Sequence, residues 1–455
     1  MHVSTGCAFL LRMVFLSSHT PRKDGHQPLS KFTEGLSTLV VGFAFLVLVS
    51  AYFIHNPSSF SRPQPPPPGE PHWKYKPTPP PKPPVIEHFP RAASAKAPSD
   101  LPSVPSWNTP PSPHVNESTP LFIGFARTWE LLQQCVVSYI AAGWPPGDIY
   151  VVENTGTMDA NRLGRLTLQN PLYLDYKRLT DAFGVNVITA PTLLSFAQLQ
   201  NLFLYIAISN GWDHYFWGHM DVAVLSNEAW EDPETGEYKN LYMRAVDDIR
   251  EARRTRDEPD DQGRTGGWAI RFYAYDRLAL VNRTAFEQVG GWDPMIPYYA
   301  TDCDMHSRLF MSGFKQGDVS VGRIFDVAGS LEDVELLYHR DPVDPRLDDS
   351  DPDLHPTLAD ILPEDVRGGA AFEHLQGKLQ DLNDAKGHGD RLRWQGVQQG
   401  GQGEPYYRDA EGFQQSIVML AEQGKKIMAE KWGHRGCNLK GLKFEDAWKV
   451  EHDWE

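Results

Sequence analysis

The residues with the clearest chemical potential in this sequence follow short apolar runs that are typical of buried strands. Charged, imidazole and amide side chains stand at the ends of three such runs: Arg127, Glu153, Asn154, His219 and Asp221. In open α/β sheets the ligand binds beyond the carboxyl ends of the strands. We therefore expect these five side chains to converge on one ligand site.

The elements that would position these residues alternate between strand and helix patterns. A buried strand opens at Leu121, and residues 129–142 carry apolar side chains at helical spacing before Gly143 and two prolines. A second strand, residues 148–152, follows at once. This β-α-β pattern predicts an α/β fold with a mostly parallel sheet flanked by helices, continued by strands near 185–189 and 214–221.

Residues 120–340 resemble the GT-A fold nucleotide-sugar glycosyltransferases, nearest to the inverting family 2 type. The segment VVENTG resembles that family's turn that contacts the nucleotide base, which implies that Glu153 reads the base. His219-Met-Asp221 stands at the position of the family's metal-binding DxD motif, with His in place of the first Asp. The resemblance implies a divalent cofactor, Mn²⁺ or Mg²⁺, on Asp221 and His219, since imidazole also ligates manganese.

The segment from Gly266 to Phe314 resembles the acceptor side of the same family, including its GGWD turn at residues 290–293. By position in the family's ED-x-D motif, Asp302 would be the catalytic base, although Thr301 replaces the Glu. Asp304 would support the first helical turn at the catalytic centre. An Asp in a first turn also acts as a simple cap, which is the alternative for Asp304.

The remaining site residues follow from the resemblance as well. His339 would complete the metal site, with a surface histidine as its alternative and His434 as the fallback. Aromatic side chains would form a wall for the sugars, although buried aromatics are more often part of the core. The nucleotide-sugar site would then comprise Arg127, Glu153, Asn154, Asn201, Trp268 and Trp292, with Tyr298 and Tyr299 as further wall residues.

The implied function is transfer of a sugar from a UDP- or GDP-sugar to a hydroxyl of a glycan or glycoconjugate, with inversion. The alternative is a catalytically inactive relative that binds a glycan or a partner enzyme, which the altered His219-Met-Asp221 motif motivates. A further alternative, a scaffold protein whose Pro-rich stem is the functional part, would leave the sequence after Leu121 unexplained. A formal net charge of −16 argues against a nucleic-acid partner.

A run of 19 residues without a charge, 36–54, predicts a transmembrane anchor, because a helix of that length is about 28 Å long. A signal peptide fits less well, since its apolar stretch is usually shorter. Lys and Arg precede the run, which predicts residues 1–35 in the cytosol and a single-pass type II orientation. The catalytic domain would then face the lumen of the Golgi or another secretory compartment.

The organisation after the anchor follows from composition. Residues 55–117 are predicted to be a disordered stem, because 20 of the chain's 37 prolines lie in residues 57–113. We predict a catalytic domain at 118–345 and a helical extension with an acidic loop at 346–455. Asn116 and Asn282 begin glycosylation sequons. At most one disulfide can form among Cys135, Cys303 and Cys437, with the pairing left open.

Overall fold

A computed structural model describes residues 43–52, 73–78, 80–233, 235–260, 263–338, 367–388 and 398–454. The chain divides into two compact units, Met1–Pro79 and Pro80–Glu455. In the first unit residues 43–52 form a helix. Of the helices in the described ranges, none is both long enough and apolar enough to cross a membrane. The predicted anchor lies partly outside these ranges, at residues 36–42 and 53–54.

The second unit is built on a sheet of seven strands among its described residues, in the order β3-β2-β1-β4-β7-β6-β8. β5 and β9 pair antiparallel in a small second sheet. The strands are β1 Leu121–Phe125, β2 Ile149–Glu153, β3 Asn186–Thr189, β4 His214–His219, β5 Val222–Leu225, β6 Trp268–Ala274, β7 Leu278–Asn282, β8 Lys315–Asp318 and β9 Arg323–Asp326. Only β7 runs antiparallel to its neighbours in the large sheet.

Helices cover both faces of the large sheet. In chain order the described α-helices of this unit are α1 Pro90–Ser94, α2 Trp129–Ala141, α3 Phe196–Ser209, α4 Leu241–Arg254, α5 Arg283–Gln288, α6 Thr301–Met311, α7 Ala370–His388 and α8 Ala410–Trp432. Leu121, Ile123 and Phe125 of β1 join a core with α2 and α4, while Phe122 joins a second core with α3, α5 and α6. This alternation follows from the two-residue period of a strand. The predicted mostly parallel α/β sheet flanked by helices is confirmed.

The strand order places a topological switch point between β1 and β4. From β1 the chain adds β2 and then β3 on one side, and it returns to add β4 on the other side of β1. Helix α2, between β1 and β2, packs on one face of the sheet, and α3, between β3 and β4, packs on the other face. A crevice lies at the carboxyl ends of β1 and β4. Ligands of open α/β sheets bind at such a crevice.

Residues 80–117 belong to the compact unit, so a stem that is disordered up to residue 117 does not describe them. The Phe89 side chain is fully buried in the core. Arg178 donates to Glu87 at 2.7 Å, and Trp107 donates to Glu228 at 2.8 Å. Proline-rich sequence does not prevent this packing, because such a segment can lie extended along a surface that is already folded.

The described C-terminal residues pack on the same unit, in the region that the sequence predicted as a helical extension from residue 346. Ile296 shares a small core with Met428, Trp432 and Leu439. A disulfide joins Cys303 in α6 to Cys437, just beyond α8. Within the described part of the chain Cys135 is unpaired and buried.

Candidate active site

A cavity of about 290 Å³ opens at the carboxyl ends of β1, β2 and β4. Its walls come from the segments after these strands, the β6–β7 turn, the start of α6 and one face of α8. The residues that line it include Arg127, Asn154, Leu193, Phe196, His219, Asp221, Asp276, Tyr298, Asp302, Phe413 and Ile417. The structure thus brings together seven residues that the sequence assigned to the site, namely Arg127, Asn154, His219, Asp221, Tyr298, Tyr299 and Asp302.

Arg127 supplies a buried positive charge to the cavity wall. Its guanidinium lies 4.3 Å from the centre of the Phe413 ring and donates to Gln414 Oε1 at 3.2 Å. Burial lowers the pKa of Arg127 to about 10, so it stays protonated at neutral pH. The next residue, Thr128, has φ of 72°, which is unusual for a β-branched residue and holds the chain in a sharp turn.

Asn154 lines the cavity, whereas Glu153 is turned into the protein. The Asn154 amide makes two hydrogen bonds with the backbone of Leu194, at 2.7 and 2.9 Å. The buried Glu153 carboxylate accepts from Thr155 at 2.9 Å, from Asn161 at 2.7 Å and from Tyr176. These donors satisfy Glu153 without a ligand, and it is absent from the cavity lining.

His219 and Asp221 lie beside a second carboxylate, that of Asp276 in the β6–β7 turn. His219 Nδ1 lies 3.9 Å from Asp221 Oδ1, and its Nε2 lies 3.8 Å from Asp276 Oδ1. The Phe196 ring stacks on the imidazole of His219, with 5.8 Å between the two ring centroids. Burial opposes protonation of His219, but Asp276 and Asp221 outweigh it and raise its pKa.

The carboxylate of Asp221 is bound by a lysine from the C-terminal part of the chain. Lys386 of α7 donates to Asp221 Oδ2 and, at 2.6 Å, to Asp326 Oδ1. Burial tends to raise the pKa of Asp221, but the Lys386 ammonium and His219 hold it below its ordinary value. Asp221 is therefore ionised and already paired with a cation.

Asp302 stands at the start of α6 with its carboxylate on the cavity. Tyr275 donates its hydroxyl to Asp302 Oδ2 at 2.9 Å. Burial and the Asp302 charge raise the pKa of Tyr275, so the phenol remains a donor. Ala300, two residues earlier, has φ of 71°, a strained value that fixes where the helix begins.

Asp304 points away from the cavity and is fully buried. Its carboxylate accepts from Arg308 Nε at 2.8 Å and from Trp432 Nε1 at 2.9 Å, and pairs with Lys431 Nζ at 2.7 Å. Arg308 in turn donates to the carbonyl of Gly291 at 2.8 Å. The arrangement gives Asp304 a structural role, joining α6, the GGWD turn and α8.

Asn201, Trp268 and Trp292 lie outside the cavity lining. The Asn201 amide makes two hydrogen bonds of 2.8 Å with the backbone of Trp292 and so fixes the GGWD turn. A Cβ at Gly291, where φ is 71°, would lie 2.7 Å from Asn201 Oδ1, so that turn needs glycine. Trp292 is buried among aromatic rings, and Trp268 begins β6 beside a different pocket.

The predicted third metal ligand, His339, lies outside the described residues. The fallback, His434, pairs with Asp453 and does not line the cavity. Across the ranges that the structure describes, no group of three or more His, Cys, Asp and Glu side chains is placed to hold a metal ion.

Lys386, Asp276, Phe413 and Tyr275 are site residues that sequence reasoning missed. Apolar residues at helical spacing in 412–431 indicate a helix there, but they do not show that Phe413 faces Arg127. Asp276 lies in the turn between β6 and β7, and an aspartate in a turn is ordinarily explained by its preference for turn conformations. Nothing in the sequence around Lys386 distinguishes it from other lysines of an exposed helix.

No protein-family model matches this sequence, and neither does any curated protein. Among solved structures, a cytidylyltransferase from Leptospira borgpetersenii is 10% identical, with 59% of this chain and 98% of that chain covered and a TM-score of 0.31. Mannosyltransferase PcManGT from Pyrobaculum calidifontis, in complex with GDP-Man and Mn²⁺, is 14% identical, with 70% and 76% covered and a TM-score of 0.28. The catalytic domain of Drosophila β1,4-galactosyltransferase 7, in complex with xylobiose, is 14% identical, with 45% and 67% covered and a TM-score of 0.23.

Two of these three structures are glycosyltransferases. TM-scores of this size do not establish a common fold, so the function of this protein has to be inferred from its own topology and cavity.

Proposed function

We propose that this protein is a glycosyltransferase of the GT-A type that transfers a sugar from a nucleoside-diphosphate sugar to a hydroxyl of a glycan or glycoconjugate. The observation that carries the proposal is the cavity itself. It joins the strand-end residues Arg127, Asn154 and Asp221 at the switch point to Asp302, about 80 residues beyond Asp221 in the sequence. One part of the cavity can hold an anionic donor and the other can accept a proton.

The chemistry expected of the site is an inverting displacement. The acceptor hydroxyl attacks the anomeric carbon of the donor, and the bond from that carbon to the diphosphate breaks. Asp302 takes the hydroxyl proton, and the Tyr275 hydroxyl holds its carboxylate in place. The leaving nucleoside diphosphate gains negative charge, which the buried Arg127 guanidinium is placed to stabilise.

The divalent cofactor that the resemblance implies does not fit the residues that the structure describes. Asp221 is bound by the Lys386 ammonium at the position where it would ligate a metal ion, and His219 lies between two carboxylates. We therefore assign no step of the reaction to a metal ion.

The proposal is tested by incubating the full-length protein with a panel of UDP- and GDP-sugars and measuring release of the nucleoside diphosphate. Release from one donor that is lost in Asp302→Asn supports a transferase and identifies its sugar. Retention of configuration in the product would overturn the role of Asp302 as base. A folded protein that neither binds nor cleaves any donor would refute the proposal.

A catalytically inactive relative that binds a glycan or a partner enzyme is the second candidate. The observation that favours it is the altered His219-Met-Asp221 motif, since Lys386 occupies the Asp221 carboxylate. The open position of Asp302 on the cavity opposes it. Binding of a glycan without any nucleotide binding would favour the inactive relative.

We further propose that the Pro80–Glu455 unit works in the lumen of the secretory pathway, in the Golgi or a related compartment, behind an anchor at residues 36–54. The Cys303–Cys437 disulfide supports this proposal, since such bonds persist in oxidising compartments. The exposed Asn116 sequon supports it too. Protease protection of the unit in sealed microsomes tests the orientation, and cleavage of the unit without detergent would refute it.

A further inference from the structure

The Asp221 carboxylate at the cavity wall contacts a cation that the chain itself provides, the Lys386 ammonium. Lys386 lies on α7, which is anchored on the domain by the buried side chains of Phe372, Leu375 and Leu379. One turn before Lys386, Asn383 accepts a hydrogen bond of 3.0 Å from the backbone nitrogen of Asp326. The lysine side chain is only 7% exposed, so its position is set by packing and not by chance at the surface.

The two carboxylates beside this lysine already face cations of the chain. Lys386 contacts Asp221 and Asp326, and Arg277 lies 3.8 Å from the second oxygen of Asp326. A divalent cation bound to Asp221 would have to displace the ammonium or lie beside it, and like charges at such distances repel strongly where water is scarce.

A structural ion pair alone does not account for this arrangement. A salt bridge that only fixed α7 to β9 would be complete with Lys386 and Asp326. The ammonium also contacts Asp221, whose other oxygen faces His219 and which lines the cavity. The lysine therefore sets the charge of the cavity wall where an anionic donor would lie.

We propose that Lys386 replaces the divalent cation at this site, so that a nucleoside diphosphate binds without a metal ion. The inference rests on the proposed function for its ligand. Lys386 is a positioning residue that acts through Asp221: it neutralises a carboxylate that would otherwise repel the diphosphate, and it occupies the atoms that a metal ion would need.

The first experiment uses Mn²⁺ alone, so its result does not depend on the proposed function. The full-length protein and its Lys386→Met variant are titrated with Mn²⁺, and free Mn²⁺ is measured by electron paramagnetic resonance. We expect no binding at this site in the wild type, whereas Lys386→Met gains a Mn²⁺ site because the Asp221 carboxylate loses its ammonium partner. Lys378→Met, an exposed lysine of the same helix, is the matched control and should behave as the wild type. Mn²⁺ binding by the wild type that Asp221→Asn abolishes would overturn the inference.

The second experiment measures binding of UDP and GDP by calorimetry, in excess EDTA and in excess Mn²⁺. We expect equal affinity in both media for the wild type and for Lys378→Met. Lys386→Met should lose about tenfold to a hundredfold in EDTA and recover part of it with Mn²⁺, because a charged interaction is lost and a metal site appears. Lys386→Arg should retain binding in EDTA. That result would show that the positive charge at this position, and not a change in folding, accounts for the loss in Lys386→Met.

The outcomes of the second experiment distinguish failure of the proposed role of Lys386 from failure of the proposed transferase function. Wild-type binding that requires Mn²⁺ would refute the role of Lys386 and leave the transferase standing. Unchanged affinity of Lys386→Met in EDTA would refute it as well. Absence of UDP and GDP binding in both media, by a folded protein, would refute the proposed function and with it the diphosphate part of this inference.

Discussion

Two aspartates in the first turn of α6 have opposite surroundings. Asp302 borders the cavity and accepts from Tyr275, whereas Asp304 is fully buried between Arg308, Lys431 and Trp432. Their spacing of two residues on a helix places them about 200° apart, so both cannot face one ligand. The same substitution at each position therefore separates catalysis from stability.

We expect Asp302→Asn to lower kcat by about 10²–10⁴-fold, because a general base contributes that much. The thermal midpoint and the affinity for the donor should change little, since Asn keeps the shape and still accepts from Tyr275. Nucleotide release and a melting curve on the same preparation measure both. An Asp302→Asn variant with normal turnover would remove the proposed base.

Asp304→Asn should lower the free energy of unfolding by about 3–5 kcal/mol, since it leaves Arg308 and Lys431 buried with one carboxylate fewer. Denaturant unfolding measures the loss, and any fall in turnover should follow the folded fraction. A variant of normal stability with no turnover would instead place Asp304 in the catalytic machinery.

The two glycosylation sequons also differ in their surroundings. The Asn116 side chain is exposed, whereas Asn282 donates to the carbonyl of Trp268 at 2.8 Å and caps α5. We expect Asn116→Gln to remove a glycan, seen as a shift to higher mobility that endoglycosidase treatment no longer changes. Asn282→Gln should leave the glycan pattern unchanged and lower the thermal midpoint. Loss of a glycan from Asn282→Gln would contradict this assignment.

The sequence predicts which residues lie at the ends of strands, but it does not predict the direction in which each side chain points. Arg127, Asn154, His219 and Asp221 line the cavity. Glu153 does not, because Asn161 and Tyr176, 8 and 23 residues away, bind its carboxylate inside the protein. Such partners come from the tertiary fold, and no local pattern reveals them.

At the scale of elements, α6 and α8 together complete the site. α8 presents Phe413 and Ile417 to the cavity, and Lys431 and Trp432 at its other end bind Asp304 in α6. Helical spacing predicted α8 itself, and the sequence left its role open. The contact could not be foreseen because it joins parts of the chain more than a hundred residues apart, such as Trp432 and Asp304.

The Cys303–Cys437 disulfide should stabilise this pair of elements, since it closes a loop across a sequence separation of 134 residues. We expect Cys303→Ala or Cys437→Ala to lower the free energy of unfolding by about 2–5 kcal/mol. The double variant should lose no more than either single variant, because both remove one bond. Additive losses in the double variant would show that the two cysteines act independently.

The contact of Phe413 in α8 with Arg127 should affect ligand binding directly. The Phe413 ring faces the Arg127 guanidinium, and such a contact contributes about 0.5–2 kcal/mol. We expect Phe413→Ala to weaken donor binding and raise KM with little change in kcat, as measured by steady-state kinetics. Val418→Ala, at an exposed position of the same helix, is the control. Equal effects of the two substitutions would show that α8 acts through stability alone.

At the scale of the whole molecule, the compact unit extends further in both directions than composition suggested. Residues 80–117 and 398–454 pack on the central sheet and its helices, although their sequences read as stem and extension. Composition identifies segments that cannot form a core of their own. It does not show whether they lie on the core of another segment, and here they do.

The contact between Arg127 and Gln414, 287 residues apart, has a consequence for biosynthesis. A chain emerging from the ribosome can form the sheet and place Arg127, Asn154 and Asp221 long before Phe413 and Lys386 have been made. Until then the cavity lacks one wall and Asp221 lacks its cation. A nascent or prematurely terminated chain should therefore be unable to engage donor, which couples completion of synthesis to the onset of activity.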